Sequence, residues 1–217
     1  MNTQEIVTKI KELRELTPKR NFTQSLDIII NLQQIDLKKP EHKVDVGITM
    51  QTPIKAKPLK ICVVVDRTLA NQASEVFDHV LFNDDMMAMK GDIKKIRTIT
   101  HNFDKFVVQA AYMPQFAQVF GKFLGPMNKM PSPKLGMVIT DKTPMQPLYD
   151  KLQKTVHLQT KKNLVLQSSI GAENESDEAL AEKISLLHQT LTQTLVNREN
   201  NIKNIGIKFT MSKLVVL

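Results

Sequence analysis

Residues Ile61–Val65 read Ile-Cys-Val-Val-Val, the longest uninterrupted apolar run in this 217-residue chain. A bilayer span needs roughly 20 such residues, so the run predicts a buried strand and not a membrane helix. Branched residues without polar alternation predict a strand covered on both faces, as in a parallel sheet between helical layers. The flanking segments fit that reading. Leu69–Val76 predicts a helix, Val80–Phe82 a short strand and Asp85–Met89 a Met-rich helical segment, followed by Lys94–Thr100. Phe103–Ala111 predicts another strand, Pro114 opens a helix to about Phe120, and Leu148–Val156 predicts a last helix. Strand alternating with helix at this spacing implies a small three-layer, Rossmann-like α/β unit.

The two ends of the chain differ from this middle and resemble each other. Ile6, Val7, Ile10, Leu13 and Leu16 sit at helical spacing, in a helix stopped before Pro18. Phe22–Leu32 predicts a strand that begins half-buried, and Val44–Met50 a second strand, its antiparallel partner. Near the other terminus, Leu158–Ile170 holds strand-like stretches that turn at Lys161, Lys162 and Asn163. Ser176, Asp177 and Glu178 start a capped helix running to Val196, and Ile202–Thr210 and Leu214–Leu217 close the chain as strands. The expected fold is therefore α+β at the ends and α/β between. Residues 1–59 and 153–217 form one domain with an antiparallel sheet, and residues 60–152 are inserted into it. Gln51–Lys60, with Pro53 and Pro58, reads as the linker.

Composition narrows the function. The net charge is +8 and the pI about 9.5, a balance that favours polyanions because cations near phosphates release counterions. The excess forms no tail. Within the middle region, residues 66–92 carry two cations against six acids, and residues 93–152 carry nine against three. Only one face of that region is expected to meet phosphate. The lone Cys62 excludes a disulfide framework and a cysteine-rich metal site, and fits a reducing cytosol. The charged N-terminus lacks the apolar core of a secretory signal. Seven glycines form neither Gly-x-Gly-x-x-Gly nor a phosphate-binding loop after the Ile61 strand, and the five histidines lie in unrelated segments. Asp84 and Asp85 read as solvated charges at a helix start. No catalytic residue, metal or cofactor is expected.

The segment Phe123–Lys134 holds three prolines, one glycine and two lysines, which predicts a rigid, extended, cationic loop. Its residues carry a resemblance. Tyr112-Met113-Pro114, Gly121-Lys122, Leu124-Gly125-Pro126 and Lys129-Met130-Pro131 resemble the hallmark of the ribosomal protein L1 family, whose loop reads Leu-Gly-Pro-Arg-Gly-Lys-Met-Pro. Arg20-Asn21-Phe22-Thr23-Gln24-Ser25 resembles that family's first RNA-facing strand, and Asp36-Leu37-Lys38-Lys39-Pro40 its archaeal and eukaryotic branch. Ile170-Gly171 with Ser176-Asp177-Glu178, and Asn201-Ile202-Lys203 through Lys208-Phe209-Thr210-Met211, resemble its turn, helix and closing strand.

The resemblance implies the inserted two-domain plan and a constituent of the large ribosomal subunit. Such a protein binds large-subunit rRNA, forms a mobile stalk beside the exit site for deacylated tRNA, and represses translation from its own mRNA. It implies a cytoplasmic, ribosome-bound protein that is a monomer when free and binds no membrane. The implied RNA-binding positions are Arg20, Phe22, Thr23, Ser25, Lys161, Lys162, Gln167, Ser168, Lys208, Thr210, Met211, Ser212 and Lys213. In the inserted domain the resemblance singles out the loop residues Gly125, Pro126, Met127, Asn128, Lys129, Met130 and Pro131, apart from that RNA-binding set. By residue type alone, Phe22 is either a core side chain or an aromatic platform for RNA. If both Phe22 and Ser25 reach RNA, Thr23-Gln24 must break the strand's alternation. Met127 and Asn128 replace the family's Arg and Gly, and Ser212-Lys213 its Gly-Pro. Asn128 tolerates left-handed backbone, Met127 removes a cation, and Ser212 disfavours positive φ. Two other readings are a free RNA-binding regulator outside the ribosome and a nucleotide-binding α/β enzyme.

Overall fold

The computed structural model describes residues 3–39, 42–160 and 163–217. The chain divides into two compact units, Met1–Lys57 with Lys154–Leu217, and Pro58–Gln153.

The terminal unit is built on a four-stranded antiparallel sheet. Its β1 (Ser25–Leu32) lies between β8 (Val165–Ala172) and β9 (Ile202–Phe209), and the short β10 (Val215–Val216) extends the β9 edge. Side chains of β1 alternate strictly. Leu26, Ile28, Ile30 and Leu32 are buried, whereas Ser25, Asp27, Ile29 and Asn31 face the open side. Helices α1 (Thr3–Leu16) and α7 (Asp177–Thr194) pack on each other and against β9 and β8. They bury Ile6, Ile10 and Leu13 from one helix and Leu180, Ile184, Leu187 and Leu191 from the other. Ser176 caps α7 by accepting from the Ala179 amide at 3.2 Å, with Asp177 and Glu178 in the first turn, as its sequence predicts. Arg14 joins these parts. Its guanidinium bonds Asp177 Oδ1 at 2.7 Å, Glu173 O at 2.6 Å and Glu175 O at 2.7 Å, and lies 5.7 Å above the Phe209 ring.

The expected partner of Val44–Met50 is corrected. β2 (Asp45–Thr49) pairs with β7 (Thr155–Gln159) in a separate two-stranded sheet, not with β1. Both edges of β1 are taken along nearly their whole length by β8 and β9, strands of matching eight-residue length. The helix expected over Leu148–Val156 is α6 (Met145–Lys154), and Thr155 and Val156 belong to β7. Branched side chains there favour the extended backbone.

The second unit carries a parallel sheet in the order β4 (His79–Phe82), β3 (Ile61–Val65), β5 (Lys105–Gln109), β6 (Val138–Ile139). All five residues of β3 are buried, and the pleat sends them to two separate cores. Ile61, Val63 and Val65 meet α2 (Ala70–Val76) and α6 through Ala73, Leu148 and Leu152. Cys62 and Val64 meet Phe106, Phe116 and Phe120, beneath α3 (Asn83–Ala88), α4 (Ile93–Asn102) and α5 (Met113–Met127). The Phe116 and Phe120 rings stack at 4.9 Å. The apolar run thus forms the covered parallel strand that its composition predicts.

Burial pushes the Cys62 thiol up to about 12. At pH 8 about one molecule in 10⁴ then carries the reactive thiolate. Native protein is expected to resist a thiol-specific reagent at pH 8 and to react fully once denatured; rapid labelling of native protein would contradict the burial.

Candidate nucleic-acid interface

The strand β1 begins at Ser25, so Phe22 does not start it as its sequence suggests. The chain turns before the sheet because Gln24 is drawn inward. Gln24 is fully buried, its amide donates to Glu173 Oε2 at 3.1 Å, and its carbonyl accepts from the Glu173 amide at 2.8 Å. Phe22 stands outside at 52% exposure, which removes the core reading of that ring. The break at Thr23-Gln24 frees Phe22 and Ser25 from opposite pleat faces.

The end of β9 is tied to this segment. The Thr210 amide donates to Ser25 O at 3.1 Å, and its hydroxyl accepts from the Ser25 amide at 3.2 Å. The Met211 amide donates to Gln24 Oε1 at 3.1 Å, leaving the Met211 side chain outward at 58% exposure. Ser212 closes a turn: its amide donates to Phe209 O at 3.0 Å and its hydroxyl accepts from the Phe209 amide at 2.8 Å. Among the described residues the non-glycine positions with positive φ are Gln34, Asn128 and Arg198, and Ser212 is not one of them. The side chain therefore fits without strain, and its hydroxyl fastens the turn.

Around this edge lie exposed cations. Arg20 and Lys213 are exposed and form no ion pair among the described residues. Lys208 lies opposite Asp27 in the ladder. Burial raises the Asp27 carboxyl above its ordinary value, against the pull of Lys208 and Lys55. Asp27 is absent from the sequence-derived set. The alternation Ser25, Asp27, Ile29, Asn31 is the signal that reveals it, since every second residue of β1 shares the open face.

Not every expected position converges here. Lys161 and Lys162, like Pro40 of the turn motif, lie outside the described residues. Gln167 pairs with Ile29 and Ser168 with Ile28, so the two occupy opposite faces of β8. Ile29 stands four residues along β1 from Ser25, about 13 Å from the Phe22 end.

The extended loop expected over Phe123–Lys134 is also corrected. Gly125, Pro126 and Met127 belong to α5, which continues through Pro126 to Met127. Phe116, Val119, Phe120 and Leu124 are all buried along one helical stripe, and that packing outweighs the proline. Asn128 then takes φ 58°, a left-handed backbone that asparagine tolerates. Its amide bonds Gly125 O at 3.2 Å and the Lys129 amide bonds Leu124 O at 3.1 Å, a paired closure that ends the helix. Lys129 points inward. Its ammonium donates to Thr100 O at 2.7 Å and Phe103 O at 2.6 Å, the carbonyls at the end of α4. Met130 is partly buried and Pro131 buried, so within Gly125–Pro131 the exposed part is Gly125–Asn128, and Pro133 and Lys134 are exposed beyond it. Among the described residues no group of three or more His, Cys, Asp or Glu side chains is placed to hold a metal ion. None of their helices is long and apolar enough to cross a membrane.

Comparison with known proteins accords with this architecture. Residues 10–213 match the sequence model of the Ribosomal protein L1p/L10e family. A protein of Methanobrevibacter smithii named Large ribosomal subunit protein uL1 is 35% identical over 214 residues, covering 98% of both chains. Proteins of the same name from Methanothermobacter thermautotrophicus and Pyrococcus horikoshii are each 33% identical, over 98% of this chain and 98% and 94% of theirs.

A hydrogen bond from a charged group is worth about 1.5–3 kcal/mol, and the two made by the partly exposed Lys129 ammonium fall at the low end because water screens it. Lys129→Met is therefore expected to lower unfolding free energy by about 2–3 kcal/mol in a denaturant titration. A change below about 0.5 kcal/mol would return Lys129 to the role of a surface cation.

Proposed function

The chain belongs to the ribosomal protein L1p/L10e family, and from that premise we propose that it is a structural constituent of the large ribosomal subunit. Its terminal unit grips a stem-loop of large-subunit rRNA. The observation that carries this reading is the outward pair Phe22 and Met211, 52% and 58% exposed, on two segments tied by Thr210–Ser25 and Gln24–Met211 bonds. An exposed aromatic ring offers an unstacked base a platform. The hydroxyls of Thr23, Ser25 and Thr210 and the carboxylate of Asp27 are groups that can bond 2′-hydroxyls, which separate RNA from DNA. Arg20, Lys208 and Lys213 supply phosphate contacts that set register without reading sequence.

The finer reading follows the family. The protein and its rRNA form a mobile stalk beside the exit site, contact deacylated tRNA and assist its release. The same surface binds a mimic of the rRNA on the protein's own mRNA and represses translation. The protein works on ribosomes in the cytoplasm and is a monomer when free. The outer Gly125–Asn128 end of α5 makes a secondary contact, weakened where Met127 stands for arginine. The role is structural and involves no catalysis.

Phe22→Ala is expected to weaken binding of the rRNA stem-loop by about 1–3 kcal/mol, measured by titration of folded protein. An unchanged dissociation constant would remove Phe22 from the interface.

A further inference from the structure

Gln24 is a long polar side chain at 0% exposure, placed between the exposed Thr23 and the half-buried Ser25. Glutamine is rarely so buried. Only half of its amide is used. Oε1 accepts the Met211 amide, while Nε2 finds no hydrogen-bond partner among the described residues. A buried donor without an acceptor costs stability, which an apolar side chain of the same length would avoid. The core alone therefore gives no reason for glutamine at this position. Among the described residues the side chain's one hydrogen bond is to the Met211 amide, across 187 residues of sequence.

We infer that Gln24 is a positioning residue for RNA binding, fixing the Thr210–Ser212 turn against the Phe22–Ser25 segment. The inference rests on the RNA-binding reading above. The backbone of Gln24 is immobilised on Glu173 through two hydrogen bonds, so its side chain is a fixed post. Met211 hangs from that post by its amide, between the Thr210–Ser25 pair on one side and the Ser212 closure on the other. Without the post, the Met211 backbone would be ordered in part by RNA, and binding would carry that entropic cost. Phe22 and Met211 then present one pre-ordered surface instead of two independent side chains.

The test is Gln24→Met in the full chain, which keeps length and removes both the acceptor and the unpaired donor. Three quantities are measured at one salt concentration: the thermal midpoint, hydrogen exchange at the Met211 amide, and affinity for a stem-loop of large-subunit rRNA. The midpoint is expected to hold or rise, Met211 exchange to quicken about tenfold, and affinity to fall about five- to tenfold. Unchanged affinity in the folded variant would overturn the role of Gln24 alone. A variant that fails to fold, or loses affinity with Met211 still protected, would also overturn it, because Gln24 would then act through the core. A wild-type protein that does not prefer the stem-loop to a duplex of equal length would overturn the functional reading, and this inference with it.

Discussion

The strand β1 must find both of its partners at the far end of the chain. Leu26 pairs with Phe209 and Ile30 with Leu166, contacts that close loops of well over a hundred residues. Closing so long a loop costs only slightly more than closing a short one, because the entropy grows with the logarithm of length. A whole compact unit, Pro58–Gln153, can therefore lie between the partners. The return comes from burial: alternate residues of β1 enter a core lined by α1 and α7, and Arg14 bonds the β8–α7 connection to α1.

The proposed interface is a consequence of that pairing. The start of β1 and the end of β9 are neighbours because the strands are antiparallel, so Phe22–Ser25 and Thr210–Lys213 meet at one edge. Neither segment contains the site by itself. Their junction is set by the Thr210–Ser25 and Met211–Gln24 bonds, while Ser212 closes its own turn onto Phe209, an arrangement that leaves the Phe22 and Met211 side chains outward. The substitutions at Asn128 and Ser212 are absorbed locally, one by left-handed backbone at a helix end and the other by a hydroxyl that closes a turn. Nothing in the structure explains Met127 at the position where the resemblance leads one to expect arginine.

Much of this architecture was legible in the residues. The Val-rich run at Ile61–Val65 signals a strand with two covered faces because no polar residue could be accommodated on either. Ser176 signals its helix because cap chemistry is local. The pairing of β2 with β7 was not legible, since alternation marks a strand but does not name its neighbour. The Phe123–Lys134 segment misled for a related reason. Its prolines and glycine are local signals, and the buried stripe Phe116, Val119, Phe120 and Leu124 overrides them through packing. Phe22 was ambiguous for want of a burial signal, and Gln24 was invisible because nothing in its type or spacing announces a buried glutamine.

The central claim is that pairing of the chain's two ends builds a surface that reads a folded RNA, not merely a cationic one. A generic basic protein owes its affinity to counterion release and loses it steeply with salt. Stacking and hydroxyl contacts persist. The most direct measurement is binding to the rRNA stem-loop against a duplex RNA of equal length across a salt series. Tight binding that depends on the loop and survives high salt is the predicted result. Equal, weak binding to both RNAs, falling together as salt rises, would contradict the account.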